Sequence, residues 1–513
     1  MATPREKLAE SLEVLRRLQE RGVAAIRSGD LTRTHRERLV KNGFLEEILK
    51  GWYIPADPGA AIGESTGWYA SFWNFCAEYL KARFGTNWSL SPEQSLLMHV
   101  GNMKVPRQLL VRSPKARNRI TAFPHGTSLF DMRATLPGAG DVTEKDGLRL
   151  FSVPAGLINC SAGFFLQNET DARAVLAMVD DASEVLALLL DGGRSTVAGR
   201  LAGAFRNIGR DRIANEIVKN MQAAGYTVRE KDPFENTMEL ILTMPDQAPC
   251  VNRIRLMWQK MRGPVLNQFP PASGHPSDMA AYLKAADDNY VTDAYHSLSI
   301  EGYQVSPELI QQVRGGDWDP DENKDDRKHY NALAARGYWQ AYQAVRKSLQ
   351  KVLKGENPGS VCHDDHGIWY REMFGPLVTA GLLRGADLAG YRRGSVFIRR
   401  SMHMPPRPEV VRSCMPAFFD LLKEESEPSV RVVLGHFLFV YIHPYPDGNG
   451  RNGRFLMNVM LAAGGYPWTV IPLEQRDNYM EALEKGSVDQ DIVPFTNFLG
   501  RLVSDTLEGR QRL

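Results

Sequence analysis

The stretch His443-Pro444-Tyr445-Pro446-Asp447-Gly448-Asn449-Gly450-Arg451-Asn452-Gly453-Arg454 sets an imidazole, a carboxylate, a glycine-flanked amide and two guanidinium groups within twelve positions. Upstream, Val432, Leu434, Phe437, Leu438, Val440 and Tyr441 recur at helical spacing, and Phe455, Leu456, Val459 and Met460 resume it. The run therefore predicts a helix-loop-helix with a polar loop. Gly448 and Gly450 permit backbone conformations in which successive N–H groups converge on an anion, and a helix beginning near Asn449 adds its positive end. Arg451 and Arg454 lie three apart in that first turn, where a helix on its own favours acids. Two cations there make sense opposite an anion, so the loop reads as a phosphate site. Asp447 is placed to hold Mg²⁺ jointly with phosphate oxygens, and His443 to act as general base toward a hydroxyl. A plain Gly/Asn turn between two core helices needs neither the paired arginines nor the full spacing.

Position for position the run resembles the Fic-family signature HxFx(D/E)GNGRxxR, with Tyr445 in place of the aromatic Phe. The resemblance implies transfer of AMP from ATP to a protein hydroxyl (Tyr, Thr or Ser, on another chain or on itself), with pyrophosphate leaving. In that reading His443 deprotonates the target, Asp447 holds Mg²⁺, Gly448, Asn449 and Gly450 cradle the α- and β-phosphates, and Arg451 and Arg454 neutralise the leaving phosphates. A second element of the family is matched upstream. Ser297 and Glu301, four apart on one helix face and followed by Gly302 as a helix stop, fit the inhibitory pattern (S/T)xxxE(G/N). A carboxylate against Arg454 would occupy the cation that the γ-phosphate requires, which implies a self-inhibited enzyme. Downstream, Tyr479 matches an aromatic position bordering the adenine, and equally suits simple helix packing. Residues 389–398, Ala389 to Ile398, read as a hairpin or extended flap, which in this family covers the nucleotide and pairs with the target. The resemblance spans about residues 276–510.

Composition bounds the rest. A chain of 513 residues, 43% hydrophobic with a formal charge of +2, accommodates several globular domains and points to no bulk affinity for nucleic acid or membrane. No apolar run is long enough to span a bilayer, and the first residues, Met1 to Glu6, lack an apolar signal. A cytoplasmic location is expected. Cysteines 76, 160, 250, 362 and 414 are dispersed without a CxxC pair, which argues for buried thiols over a disulfide frame or a zinc site.

The expected fold is multidomain, with a mainly α-helical Fic domain at the C-terminus (276–510, its inhibitory helix at about 290–302), an α/β middle region (64–235) and an N-terminal winged helix-turn-helix (1–60). Helical spacing over 5–20, a second helix from Arg33 to Asn42 capped by the Asp30-Leu31-Thr32 run, and a hairpin over Phe44–Ile54 carry the last of these. Its segments Leu39–Leu45 and Lys50–Tyr53 resemble the front of AbiEi-like antitoxins. Arg33, His35, Arg36, Arg38 and Lys41 offer DNA as a partner, against a solvated helix used only for protein contacts. The middle region predicts a helix over Trp68–Tyr79, strands at Gln108–Val111 and Leu148–Val153, and helices at 171–190 and 197–224. Pro264, Pro270, Pro271, Gly274 and Pro276 predict linkers. Beyond AMP transfer, three readings stay open: AMP removal with Glu301 orienting water, transfer of another nucleotide or phosphocholine group, and a DNA-binding regulator that senses ATP. A homodimer is implied at family level only, and the target protein is not readable.

Overall fold

In the computed structural model, residues 3–59, 63–234, 248–316 and 330–509 are described, so the expected boundary positions 60, 235 and 510 lie outside the described residues. The chain divides into two compact units, one comprising Met1–Pro249 with Phe397–Met404 and the other Cys250–Val396 with Pro405–Leu513. Residues 1–60 and 64–235, expected as two domains, thus fall in one unit, and the helical unit opens at Cys250 ahead of the expected 276.

The first unit begins with α1 (Pro4–Glu20), β1 (Ile26–Arg27), α2 (Arg33–Lys41), β2 (Leu45–Leu49) and β3 (Trp52–Pro55). Thr3 and Glu6 cap α1 reciprocally, and Thr32 caps α2 by accepting from the His35 N–H. The three strands form an antiparallel sheet in the order β1-β3-β2. Leu15, Ile26, Leu31, Leu39, Leu45 and Tyr53 close a small core of their own. The basic residues of α2 are mostly engaged within this unit. Arg33 pairs with Glu37 at 2.7 Å, Arg36 donates to the Ser28 carbonyl, and Arg38 donates to the Lys7 carbonyl and Ser11 Oγ.

Next come α3 (Thr66–Phe84), β4 (Ser89–Leu90), α4 (Pro92–His99), β5 (Gln108–Ser113), β6 (Arg119–Ala122), β7 (Ser128–Arg133), β8 (Val142–Lys145) and β9 (Leu148–Phe151). Strands β4 to β7 build a sheet in the order β4-β5-β7-β6, in which β5 and β7 run parallel. Trp68, Phe72, Phe75 and Leu80 of α3 pack in one core with Leu109, Val111 and Leu129 of that sheet. The unit ends in α5 (Val153–Asn159), α6 (Gly163–Gln167), α7 (Glu169–Leu176), α8 (Ser183–Asp191), α9 (Ser195–Asn207) and α10 (Asp211–Ala223). Three expectations change here. The strand from Leu148 stops at Phe151 because Ser152 caps α5. The helix expected over 171–190 breaks because Glu184 accepts from the Asp180 and Asp181 N–H groups, drawing the chain into a new start. The helix expected over 197–224 breaks at Gly209, whose φ of +76° ends α9.

The second unit is helical: α11 (Pro249–Gln268), α12 (Met279–Ile300), α13 (Pro307–Gly315), α14 (Tyr330–Leu353), α15 (Pro358–Thr379), α16 (Pro408–Glu424), α17 (Pro428–Ile442), α18 (Asn449–Ala463), α19 (Arg476–Glu484) and α20 (Val493–Leu507). Pro264 does not mark a linker. It sits inside α11, a helix anchored by buried Ile254, Met257, Trp258 and Met261, and by the Trp258 and Arg262 hydrogen bonds to the Glu425 carboxylate. Tertiary burial here outweighs the bond that proline removes. Helix α17 is buried at Ser429, Val430 and every residue from Val432 to Ile442, as a helix apolar on nearly all sides must be. Helix α14 meets α15 so closely that Gly337 has no room for a Cβ beside the Met373 carbonyl. All five cysteines are buried thiols. No helix among the described residues is long and apolar enough to cross a membrane.

Candidate active site

Helix α17 delivers His443 at its C-terminal cap, in the left-handed region at φ 53°, ψ 61°. Its Nδ1 donates to the Val440 carbonyl at 3.0 Å, a bond that fixes the tautomer and leaves Nε2 to accept a proton. Burial pushes the imidazole below its ordinary range, more than the nearby Glu301 and Asp447 carboxylates raise it. The imidazole is therefore neutral at physiological pH.

The loop after His443 is held by its own side chains. Asn449 accepts from the Tyr445 N–H at 2.9 Å and donates to the Tyr445 carbonyl at 2.8 Å. Tyr445 in turn stacks on Tyr370 with ring centroids 3.9 Å apart. The Asn449 side-chain amide is thus engaged within the loop. What faces an anion is the start of α18, where Gly448 (φ 75°) is the cap and the first N–H groups have no partner within the helix. The Asp447 carboxylate accepts from the Gly448 N–H at 2.6 Å, pairs with Arg451 at 3.3 Å and is 60% exposed.

Both arginines are buried, at 1% and 3% exposure. Arg451 lies between the rings of Tyr303 and Phe374, 5.0 Å from each centroid, and its Nε has no partner. Arg454 donates through Nε to Ser297 Oγ at 2.8 Å, and through Nη2 to the Ser297 carbonyl at 3.0 Å and Glu301 Oε1 at 2.8 Å. Its Nη1 is buried without a partner. Unsatisfied guanidinium donors in the interior are costly, and two at one loop fit a site made for phosphate oxygens. Gly450 completes the cradle, since a Cβ there would overlap Glu301 Oε1.

Glu301 is the C-cap of α12, and Gly302 (φ +94°) turns the chain away after it. Burial raises its carboxyl, but Arg454 and Arg451 outweigh this and hold it ionised below the usual range. One helical turn before Ser297, Asp293 lies on the same face and accepts from the Tyr338 hydroxyl at 2.7 Å. Its spacing of four from Ser297, and of eight from Glu301, was the signal in the sequence that could have found it.

The structure thus brings together His443, Asp447, Gly448, Asn449, Gly450, Arg451, Arg454, Ser297 and Glu301. Tyr479 lies on α19, near Arg454. It is 1% exposed, its hydroxyl meets His436 Nε2 at 2.7 Å, and its ring packs near Phe495 and Phe498. The helix-packing alternative describes it. The segment 389–398 forms no strand pair; after a short turn at Gly385–Leu388 it runs irregularly. Among the described residues no cluster of three or more His, Cys, Asp or Glu could cage a metal. Asp447 alone suits a cation shared with phosphate oxygens, not one held by protein ligands only.

The loop of the helical unit thus sets a neutral imidazole, two buried arginines and Gly450 together. Residues 370–461 match the Fic/DOC family, and this chain carries a Fic domain there. It is 31% identical over 240 residues to a protein adenylyltransferase Fic of Nematostella vectensis, covering 45% of this chain and 51% of that protein. It is 38% identical over 233 residues to the protein of the same name from Drosophila willistoni, covering 45% and 43%. The chain thus spans about half the length of these curated relatives. A Fic structure from C. elegans covers 64% of this chain and 91% of its own, at 18% identity and a TM-score of 0.37, too low for the superposition to add to the sequence match.

Proposed function

We propose that the chain is a protein adenylyltransferase held off by its own Glu301. The observation that carries this reading is the Glu301–Arg454 pair at 2.8 Å, set in the glycine cradle of a Fic signature. With Glu301 displaced, Arg454 and Arg451 face the phosphates of ATP. His443 Nε2 takes the proton of the target hydroxyl, the hydroxyl oxygen bonds to the α-phosphorus, and the bond to the bridging oxygen breaks, releasing pyrophosphate against the two guanidiniums. Positioning and charge neutralisation supply the rate, as in phosphoryl transfer generally. A bound Mg²⁺, shared between Asp447 and phosphate oxygens, would add further neutralisation.

Glu301→Gly should raise label transfer from α-labelled ATP to protein by at least about tenfold, and adding His443→Ala should lower transfer by about 10²–10⁴-fold relative to Glu301→Gly. Label arriving equally without the imidazole, or only from γ-labelled ATP, would overturn the reading. A second reading is favoured by the ionised state of Glu301 beside His443: the same site run backwards, with Glu301 orienting a water to remove AMP. Glu301→Gly separates the two, since it would abolish AMP removal while releasing AMP transfer.

For the front of the chain we infer a winged helix-turn-helix. What supports it is the succession of α1, α2 and the β2–β3 hairpin in a three-stranded sheet. Engagement of Arg33, Arg36 and Arg38 within this unit favours protein contacts over a phosphate backbone as the partner of α2.

A further inference from the structure

Arg392 lies in the segment that failed to form a hairpin, and it is 4% exposed with no carboxylate bonded to it. Its guanidinium is satisfied by main-chain carbonyls. Nε donates to the His443 carbonyl at 2.7 Å, Nη1 to the Gly394 carbonyl at 3.1 Å, and Nη2 to the carbonyls of Pro406 and, at 3.5 Å, Ile442. Its own backbone N–H donates to the Pro444 carbonyl at 2.9 Å. Three consecutive carbonyls, Ile442, His443 and Pro444, therefore accept from one residue.

These are the carbonyls around the left-handed turn at His443. A β-substituted residue there is strained and persists only when its surroundings over-determine it. They also terminate α17, where the helix presents its negative end and a cation is favourable. A planar fork with several fixed donors can pin carbonyls in different directions at once; an ammonium cannot hold the same geometry. Burial draws the guanidinium down to about 10, still charged at neutral pH.

We infer that Arg392 is the positioning residue of the catalytic histidine, a staple that fixes the backbone on both sides of His443 so that Nε2 points at the target hydroxyl, and that couples segment 389–396 to the base. The inference rests on the AMP-transfer reading for its kinetic consequence, but the placement of the imidazole can be read without turnover.

The test uses the full chain in the Glu301→Gly background, with Arg392→Gln and Arg392→Lys. Both should lower kcat for AMP transfer by about 10–100-fold, the cost of a small misplacement of the base, while the KM for ATP changes less than about threefold because the phosphate contacts are untouched. Independently, ¹⁵N spectra of histidine-labelled protein, with His443 assigned by His443→Asn, should show a single Nδ1–H tautomer that becomes mixed in Arg392→Gln. If Arg392→Gln does not fold, Arg392→Lys carries the same two readouts. An unchanged kcat together with an unchanged tautomer in a folded variant overturns the inference. So does a loss of kcat matched by an equal loss of ATP affinity, which would make Arg392 a general support of the unit. If Glu301→Gly itself transfers no AMP, the function reading fails, and the ¹⁵N spectrum alone then decides whether Arg392 positions the ring.

Discussion

Gly450 shows how little space the site leaves. The volume a methyl would take is filled by a carboxylate oxygen of Glu301, with Arg454 Nη1 3.2 Å from the same point. If the carboxylate stands where a phosphate oxygen would stand, a methyl excludes both. Gly450→Ala should therefore expel Glu301 without activating the enzyme. Expected is a loss of ATP affinity of at least about tenfold, equal in the presence and absence of Glu301→Gly, measured by calorimetric titration. Activation by Gly450→Ala alone would show that the carboxylate and the phosphates use different space. At this scale the gathering of the groups was legible in the sequence, since His443, Asp447, Arg451 and Arg454 sit in one contiguous run. Asn449 and Tyr479 were less so, because an amide can bond its own loop, and a buried aromatic on an amphipathic helix looks the same whether it touches a ligand or a core.

Helix α12 carries Asp293, Ser297 and Glu301 at successive turns of one face, so the proposed lock would be a property of the element and not of one glutamate. Burial raises Asp293 to about 6, with the Tyr338 hydroxyl and Arg454 opposing the shift only in part. A folded-state carboxyl that binds its proton more tightly than the unfolded chain does costs stability as pH rises from its ordinary value of 3.8 through 6. Asp293→Asn keeps the partner for Tyr338 and removes that cost. The substitution should raise the melting temperature at pH 8 relative to wild type and lose the advantage at pH 4; an equal change at both pH values would show that Asp293 does not titrate in this window. Element ends were read well where capping chemistry was explicit, as at Thr32 for α2, or a glycine stop, as at Gly302 after Glu301. They were misread where tertiary packing decided. Pro264 runs through α11 because Trp258 and Arg262 bind Glu425 more than 160 positions away, and in the irregular segment 389–398 Arg392 finds partners in the carbonyls of His443 and Pro406. Neither long-range partner leaves a local trace.

Across the molecule, two units with separate cores share one chain, and every residue argued to touch ATP or close its site belongs to the second. ATP bound to Glu301→Gly at about 100-fold its Kd would add about 2.7 kcal/mol to the structure that binds it. Amide exchange should accordingly slow in α17 and α18 and stay unchanged in α3, β5 and β7; protection spreading into the first unit would show that it senses the nucleotide. The division itself was only partly visible in the sequence, since loop composition shifts do not report which segments pack into one unit. One consequence follows from the covalent route between Glu301 and Arg454. Both ends of that ion pair belong to the same polypeptide, so its occupancy is a ratio of two shapes and carries no dependence on how many copies a cell makes. Within a single copy, dilution cannot separate the two ends. Under the proposed self-inhibition, a trigger would act by shifting that ratio, through binding the chain or altering it.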